Sequence, residues 1–364
     1  MKLQGIFPAL ATCFDHQGGL YKVKVLHNVE KLNQIALAGY TVCGSTAETP
    51  LLSVDERIQL MEWVKQAAAP EKILIAGVGA ESVHETVKVA NRAAEIGFHY
   101  ALALTPFYYR TQMHRPDTQM LYFRAVADQS KIPVLLYNIP QVTGYMLPVE
   151  TVAELSHHPN IAGMKDSSGD NERMKHVVAA VKPGFQVFSG SGAGFGEALT
   201  LGAAGAILAI ANPLPYACVT VWEAHRTREF EAAKDWQNRI LPAAKLIAGK
   251  LGIPGLKHAM DLNGYYGGPP RLPFVPPTPE EKAEIDQHDF DAHDASLEPQ
   301  LPMPGLAPVE SSAPRAARPR PEPQRIASPA VPGRGDAAEA EVVRLRGLLR
   351  ETLRDLEALR ALLT

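Results

Sequence analysis

Cysteine is scarce: the 364 residues hold only Cys13, Cys43 and Cys218, far apart and without a C-x-x-C pair. That spacing excludes a disulfide framework and a zinc knuckle and fits a reducing cytoplasm. An excess of charge is also lacking. The 36 Lys and Arg against 39 Asp and Glu leave a formal charge of −3, with no basic stripe in the first 285 residues, so no footprint for nucleic acid is present. Long apolar runs are missing as well. The longest, Ala198–Ala211, is about 14 residues, short of the roughly 20 that span a bilayer, so no membrane partner is expected. Met1–Pro8 lacks the charged and apolar regions of a signal peptide. Metal-ligand spacing is not evident, and no metal is expected.

With 46% hydrophobic residues, the chain can form one large domain or two smaller ones. Short β-rich apolar runs recur at Ile6–Ala11, Gly39–Cys43, Ile73–Gly77, Tyr100–Leu104, Val134–Tyr137, Ile161–Met164, Gln186–Phe188 and Ala206–Ile210. Between them lie segments of helical spacing: Ser53–Ala69, Ser82–Ile96, Thr118–Gln129, Pro148–Ser156 and Asn171–Val181. Strand–helix alternation predicts an α/β fold with a parallel sheet. Eight units in this length suit a closed (β/α)8 TIM barrel better than an open doubly wound sheet.

Further helices are expected at Val219–Arg228, Glu229–Ile247 and Gly255–Asn263, then a short one through Asp286, completing a domain over 1–286. Ten prolines in the 34 residues from Pro299 to Pro332 mark 287–335 as a disordered, semi-stiff linker. In 336–364, Val342, Leu349, Leu356 and Leu363 alternate with Leu345, Thr352 and Leu359 at heptad spacing. This predicts an amphipathic helix that pairs as a coiled coil with a helix partner or folds back onto the barrel.

Barrel active sites lie past the C-terminal ends of the strands. Gly44-Ser45-Thr46, Thr105-Pro106-Phe107-Tyr108, Tyr137-Asn138, Lys165-Asp166-Ser167 and Ser189-Gly190-Ser191 all occupy such places. A lysine directly after Ile161–Met164 sits in a desolvated mouth, where its charged form is disfavoured and the neutral amine attacks ketones. Taken alone, it reads more readily as a strand-end lysine leaving for solvent. Tyr137, one strand earlier, shifts that balance, since a phenol beside such an amine relays protons, although it also fits as a core tyrosine. Ser45 and Thr46 supply hydroxyls and amides at a strand-to-helix turn, suited to a small carboxylate or to an ordinary cap. Glu48 is read as supporting that loop. The glycines at 190, 192, 194 and 196 miss G-x-G-x-x-G because Phe195 takes the last position, so no dinucleotide is expected. His157-His158 precede a strand, at the wrong end of a barrel for catalysis.

Together these clusters resemble the dihydrodipicolinate synthase/N-acetylneuraminate lyase superfamily of class I Schiff-base aldolases, over roughly residues 3–284. The resemblance implies that Lys165 forms the imine and Tyr137 is the catalytic tyrosine. It implies further that Ser45 and Thr46 hold the pyruvoyl carboxylate and that Tyr108 is the loop tyrosine of the proton relay. Ser167 and the 190–194 loop, with Gly190 and Ser191, are expected to meet the distal half of the substrate, and Ile207 is a further substrate-binding candidate. Val142 stands where the synthase branch carries an arginine, and Ser191-Gly192-Ala193-Gly194 lacks the acids of the sialic acid branch. His158–Ile161, Gly163–Ser167, Phe185–Val187 and Gly252–Lys257, continuing to Gly264–Pro269, resemble the 4-hydroxy-2-oxoglutarate aldolase branch, although Thr46-Ala47 replaces its usual Asn-Gly. The implied activity is lyase cleavage of that acid to pyruvate and glyoxylate. No cofactor is implied, because the protonated imine is the electron sink. A homotetramer or dimer is expected. Another 2-keto-3-deoxy sugar acid aldolase or dehydratase, a 4-hydroxy-tetrahydrodipicolinate synthase, and a non-catalytic oligomeric scaffold remain as rivals.

Overall fold

The computed structural model describes residues 2–287; the expected 287–335 linker and 336–364 helix lie, but for Gln287, outside them. Eight strands form one parallel sheet: β1 (Gly5–Pro8), β2 (Gly39–Val42), β3 (Ile73–Gly77), β4 (Tyr100–Leu104), β5 (Val134–Asn138), β6 (Ile161–Asp166), β7 (Gln186–Ser189) and β8 (Gly205–Leu208). They pair in the order β1-β8-β7-β6-β5-β4-β3-β2. The Ala9↔Thr41 bridge and the bond from the Ala38 N–H to the Ile6 carbonyl, 3.0 Å, join β1 to β2. The sheet is thus a (β/α)8 TIM barrel.

Period-2 alternation sorts the strand side chains into two cores. Ile6, Leu74, Ala101, Leu136, Val187 and Ala206 belong to the large cluster under the helices. Phe7, Ile75, Leu102, Leu135, Tyr137, Phe188 and Ile207 fill the interior. There Phe7 and Phe188 meet edge to face at 5.7 Å, a plug beneath the mouth.

The sixth strand departs from the expectation that it ends at Met164; it runs on through Asp166. Val134 pairs with Ile161, but Leu135 pairs with Gly163, so β6 carries one extra residue, a bulge. Ile161 and Met164 therefore both face the outer core although three positions apart. Strict alternation from Ile161 would have turned Lys165 outward and Met164 inward. The bulge instead puts Lys165 beside Tyr137 and Phe188, its partners on β5 and β7. A Cβ on Gly163 would lie 2.2 Å from the Gln186 carbonyl oxygen, so only glycine fits where the bulge meets β7.

Helix Val54–Ala67 starts on a capping box between Ser53 and Glu56, and Val83–Ile96 on the Ser82 side chain. Besides the four-residue helices Arg110–Met113 and Pro140–Thr143, two helices escape the periodic reading. Lys22–Asn33 has no side-chain cap and is rich in valine, and Phe195–Thr200 is one short piece behind a glycine-rich loop. The expected helix over 229–247 is divided. Phe230–Ala243 is α-helical and contains Pro242, which has no N–H to give to the turn before it, and Ala244–Leu251 continues as a π-helix. Helix Gly252–Leu262 follows.

Beyond that helix, Arg271 ties the chain to the start of Val54–Ala67. Its guanidinium lies 2.6 Å from the Glu56 carboxylate and donates to the Leu51 carbonyl at 2.8 Å. Arg271 is the main reason that the Glu56 carboxyl falls from 4.5 to about 2. A carboxyl depressed in the folded state contributes stability that is complete above its unfolded value and lost as pH falls through the folded one. Glu56→Gln should therefore lower the melting temperature at pH 7 and flatten its decline between pH 4.5 and about 2. Thermal melts across that range check this; parallel wild-type and variant curves would refute it.

Candidate active site

The mouth is built from strand ends in register. Tyr137 on β5 pairs with Lys165 on β6, and Lys165 with Phe188 on β7. Lys165 Nζ donates to Tyr137 Oη at 3.3 Å and lies 4.4 Å from the ring centroid. Both side chains are buried at 4% exposure, which leaves the phenol as the cation's polar partner. Ser45 Oγ is 3.4 Å from the same phenol oxygen. Burial pushes the Tyr137 phenol up, but the Lys165 charge and the hydrogen bonds with Ser45, Lys165 and Ser167 together outweigh it, so the phenol sits below its ordinary value.

Ser45 and Thr46 lie on the 3-10 turn Ser45–Ala47 directly after β2. Its first closing bond runs from the Ala47 N–H to the Gly44 carbonyl, 3.0 Å, so the two amides ahead of it are not consumed by the turn. Thr46 is buried beside the half-buried Ser45. Three non-glycine residues among those described have positive φ, and two of them, Cys43 and Glu48 (both 58°), bracket this turn. Backbone strain of this kind is found where surrounding contacts over-determine a functional loop.

Ser167 follows β6, and its N–H donates to the Asn138 carbonyl at 2.8 Å. Asp166 points to the other side. There it meets Arg173 at 3.0 Å and accepts from the Asn138 side chain at 3.2 Å and from the Ser168 N–H at 2.8 Å. This pairing, which the sequence reading missed, clamps the turns after β5 and β6. Gly190 packs on both functional side chains. A Cβ there would lie 1.9 Å from Ser167 Oγ and 3.0 Å from Lys165 Cε.

The remaining expected site residues are dispersed. Ser191 is half-buried in the next loop, its N–H donating to Ser189 Oγ at 3.3 Å. Ile207 is fully buried in the interior core. Tyr108 does not join the Lys165–Tyr137 pair within this chain: it is 76% exposed and stacks edge to face with Tyr109 at 5.2 Å. His158 sits at the opposite end of the barrel, 3.0 Å from Asp128, as its place before β6 implied.

A cavity of about 500 Å³, the size of a small-molecule site, reaches this constellation at Ser45 and Tyr137, on the β2–β5 side of the mouth. Ser45, Leu104, Tyr137, Val142, Ile253 and Phe274 are part of its lining. Val142 thus lends this cavity an aliphatic side chain and no charge. Among the described residues no three His, Cys, Asp or Glu side chains gather to hold a metal ion. No helix among them is long and apolar enough to cross a membrane.

Residues 2–288 match the dihydrodipicolinate synthetase family. The chain belongs to that family. It is 32% identical over 281 residues to a 4-hydroxy-tetrahydrodipicolinate synthase of Exiguobacterium, covering 77% of this chain and 95% of that protein. It is 36% identical over 288 residues to a probable mitochondrial 4-hydroxy-2-oxoglutarate aldolase of Emericella nidulans, covering 78% and 93%. Among solved structures, the synthase of Acinetobacter baumannii complexed with pyruvate superimposes with a TM-score of 0.76 at 27% identity, over 80% of this chain and 99% of that one. This dihydrodipicolinate synthetase family member is accordingly a lyase of the class I, Schiff-base type.

The close contacts around Gly190 give the site a direct test. Gly190→Ala meets side-chain atoms and no backbone, so it should fold, but it should displace Lys165 and Ser167 and reduce turnover by about tenfold or more, as misplaced reacting groups do. A folded variant with wild-type turnover would show that this packing does not set the lysine's position.

Proposed function

We propose that this lyase cleaves 4-hydroxy-2-oxoglutarate to pyruvate and glyoxylate, with the chemistry confined to residues 1–286. The observation that carries the reading is the buried Lys165–Tyr137 contact at 3.3 Å with Ser45 on the same phenol. In this reading the Lys165 amine attacks C2 of the substrate, and water leaves to form an iminium. Tyr137, its phenol held below the ordinary value by that lysine and its hydrogen-bonding neighbours, takes the C4 hydroxyl proton as the C3–C4 bond breaks. The bonding electrons pass into the iminium, glyoxylate departs, and the enamine is protonated at C3 and hydrolysed to pyruvate. Ser45 and Thr46 hold the 2-oxo acid's carboxylate; Ser167, Gly190 and Ser191 meet the distal half, and Ile207 forms the apolar floor.

A homotetramer or dimer is part of the proposal. The exposed Tyr108–Tyr109 pair is apolar surface that a second copy would cover, bringing Tyr108 into a proton path it does not reach alone. Three free, buried cysteines fit a reducing cytoplasm.

One observation favours a second reading, 4-hydroxy-tetrahydrodipicolinate synthesis. Although Val142 supplies no cation, the Arg110 guanidinium lies against Gly144 two residues on, where a Cβ would come within 2.6 Å of it. Exiguobacterium's relative carries the synthase name. Assays with 4-hydroxy-2-oxoglutarate and with pyruvate plus aspartate semialdehyde separate the two.

Borohydride reduction in the presence of pyruvate tests the shared chemistry. Wild-type protein should gain the mass of a reduced adduct on Lys165, and Lys165→Ala should gain none; an adduct that survives in the variant removes the proposal. The trapping rate should rise with pH through a value below the ordinary phenol range of about 10, and Tyr137→Phe should abolish that rise.

A further inference from the structure

The turn carrying Ser45 and Thr46 ends in a buried carboxylate that the proposed chemistry leaves unused. Glu48 is 1% exposed with a left-handed backbone, φ 58°. For a residue with a Cβ that conformation is unfavourable and needs outside contacts to hold it. Glu48 Oε1 lies 2.7 Å from the ammonium of Lys257, itself 1% exposed, and Glu48 Oε2 accepts the Arg271 N–H at 2.8 Å. Lys257 also donates to the Pro269 carbonyl at 2.9 Å and lies 4.6 Å from the centre of the Phe14 ring. Lys257 belongs to helix Gly252–Leu262, and the next residue but three towards its start, Ile253, lines the cavity. On the other side, Thr12 Oγ1 donates to the Ala47 carbonyl at 2.6 Å, and Thr49 Oγ1 to the Gly44 carbonyl at 2.8 Å.

We propose that Glu48 and Lys257 are a positioning pair that fixes the carboxylate-binding turn to the C-terminal helices, so that affinity for the 2-oxo acid is set by a contact outside the barrel strands. This rests on the reading that Ser45 and Thr46 hold the substrate carboxylate. Two buried ions that satisfy one another are tolerated; with one removed, the survivor draws the backbone away to find water. The turn then relaxes towards ordinary φ, and its hydroxyls and amides leave the place where a carboxylate must lie beside Lys165.

Half-saturating pyruvate for borohydride trapping, measured beside a thermal melt, tests this in Glu48→Gln, Glu48→Gly and Lys257→Met. Glycine accepts the left-handed backbone, so Glu48→Gly removes the anchor without backbone strain. Each folded variant should need about tenfold more pyruvate, with the trapping rate at saturation within about threefold of wild type, the signature of lost binding and not lost chemistry. Half-saturation by glyoxylate in the condensation direction should not move. Wild-type pyruvate half-saturation in any folded variant overturns the inference. So does failure of all three to fold, which assigns the pair to stability alone. If wild-type protein traps no pyruvate, the functional reading has failed, an outcome distinct from variants that trap as wild type does.

Discussion

The direction in which Lys165 points governs everything at the mouth of this barrel, and that direction is fixed by one extra residue in β6. A parallel strand sends alternate side chains to opposite cores, and a shift of one residue reverses every side chain beyond it. With Ile161 and Met164 both seated under the helices, the reversal falls between them, where Gly163 pairs with Leu135. Beyond it, Lys165 enters the interior and Asp166 faces outward to Arg173. One bulge thus delivers a nucleophile to the mouth and an anchor to the loop behind it. Gly163 is required because the bulged strand runs against the β7 backbone too closely for any side chain.

A lysine turned into an apolar barrel needs a partner, and the registers decide which it receives. Leu104, Tyr137, Lys165 and Phe188 are neighbours across four adjacent strands. The two flanking residues are hydrocarbon, so the phenol takes the ammonium and is itself drawn towards ionisation. Two other buried cations, Lys72 and Arg57, are treated differently. Lys72 is held by the Ile35 and Leu37 carbonyls, and Arg57 by the Gly77 carbonyl, both fixed groups that cannot exchange a proton. Lys165 faces a group that can.

Much of this was legible in the sequence. The runs Ile73–Gly77 and Tyr100–Leu104 are strands with the expected limits, because apolar β-formers stop there at turn residues. Lys165, Tyr137 and Ser45 converge as their strand-end positions implied. The length of β6 was not legible, since a bulge conserves composition and alters only phase. Lys22–Asn33 was not singled out, since its three valines lower helix propensity and its first turn holds no acid. Glu48 was read as loop support, but its partner could not be named: Lys257 lies in a helix whose docking depends on the closed barrel. Tyr108 shows the opposite limit: its place after β4 was legible, but not that its ring turns to solvent against Tyr109, away from the Lys165–Tyr137 pair.

The C-terminal helices are thereby more than a cover. A strand end can aim one or two side chains, but the carboxylate receptor proposed for Ser45 and Thr46 needs several amides and hydroxyls held together on a short turn with little internal bonding. That turn is bracketed by left-handed Cys43 and Glu48 and must be held from outside. Thr12 holds it from the β1 side, and Lys257 with Arg271 from the C-terminal segment. Arg271 also grips Glu56 at the start of the helix that follows the turn, so one guanidinium and its backbone secure both ends of the same connection. In the proposed reading the labour is divided: strands fix the reacting nitrogen and oxygen, and the appended helices hold the turn that would bind the acid's carboxylate.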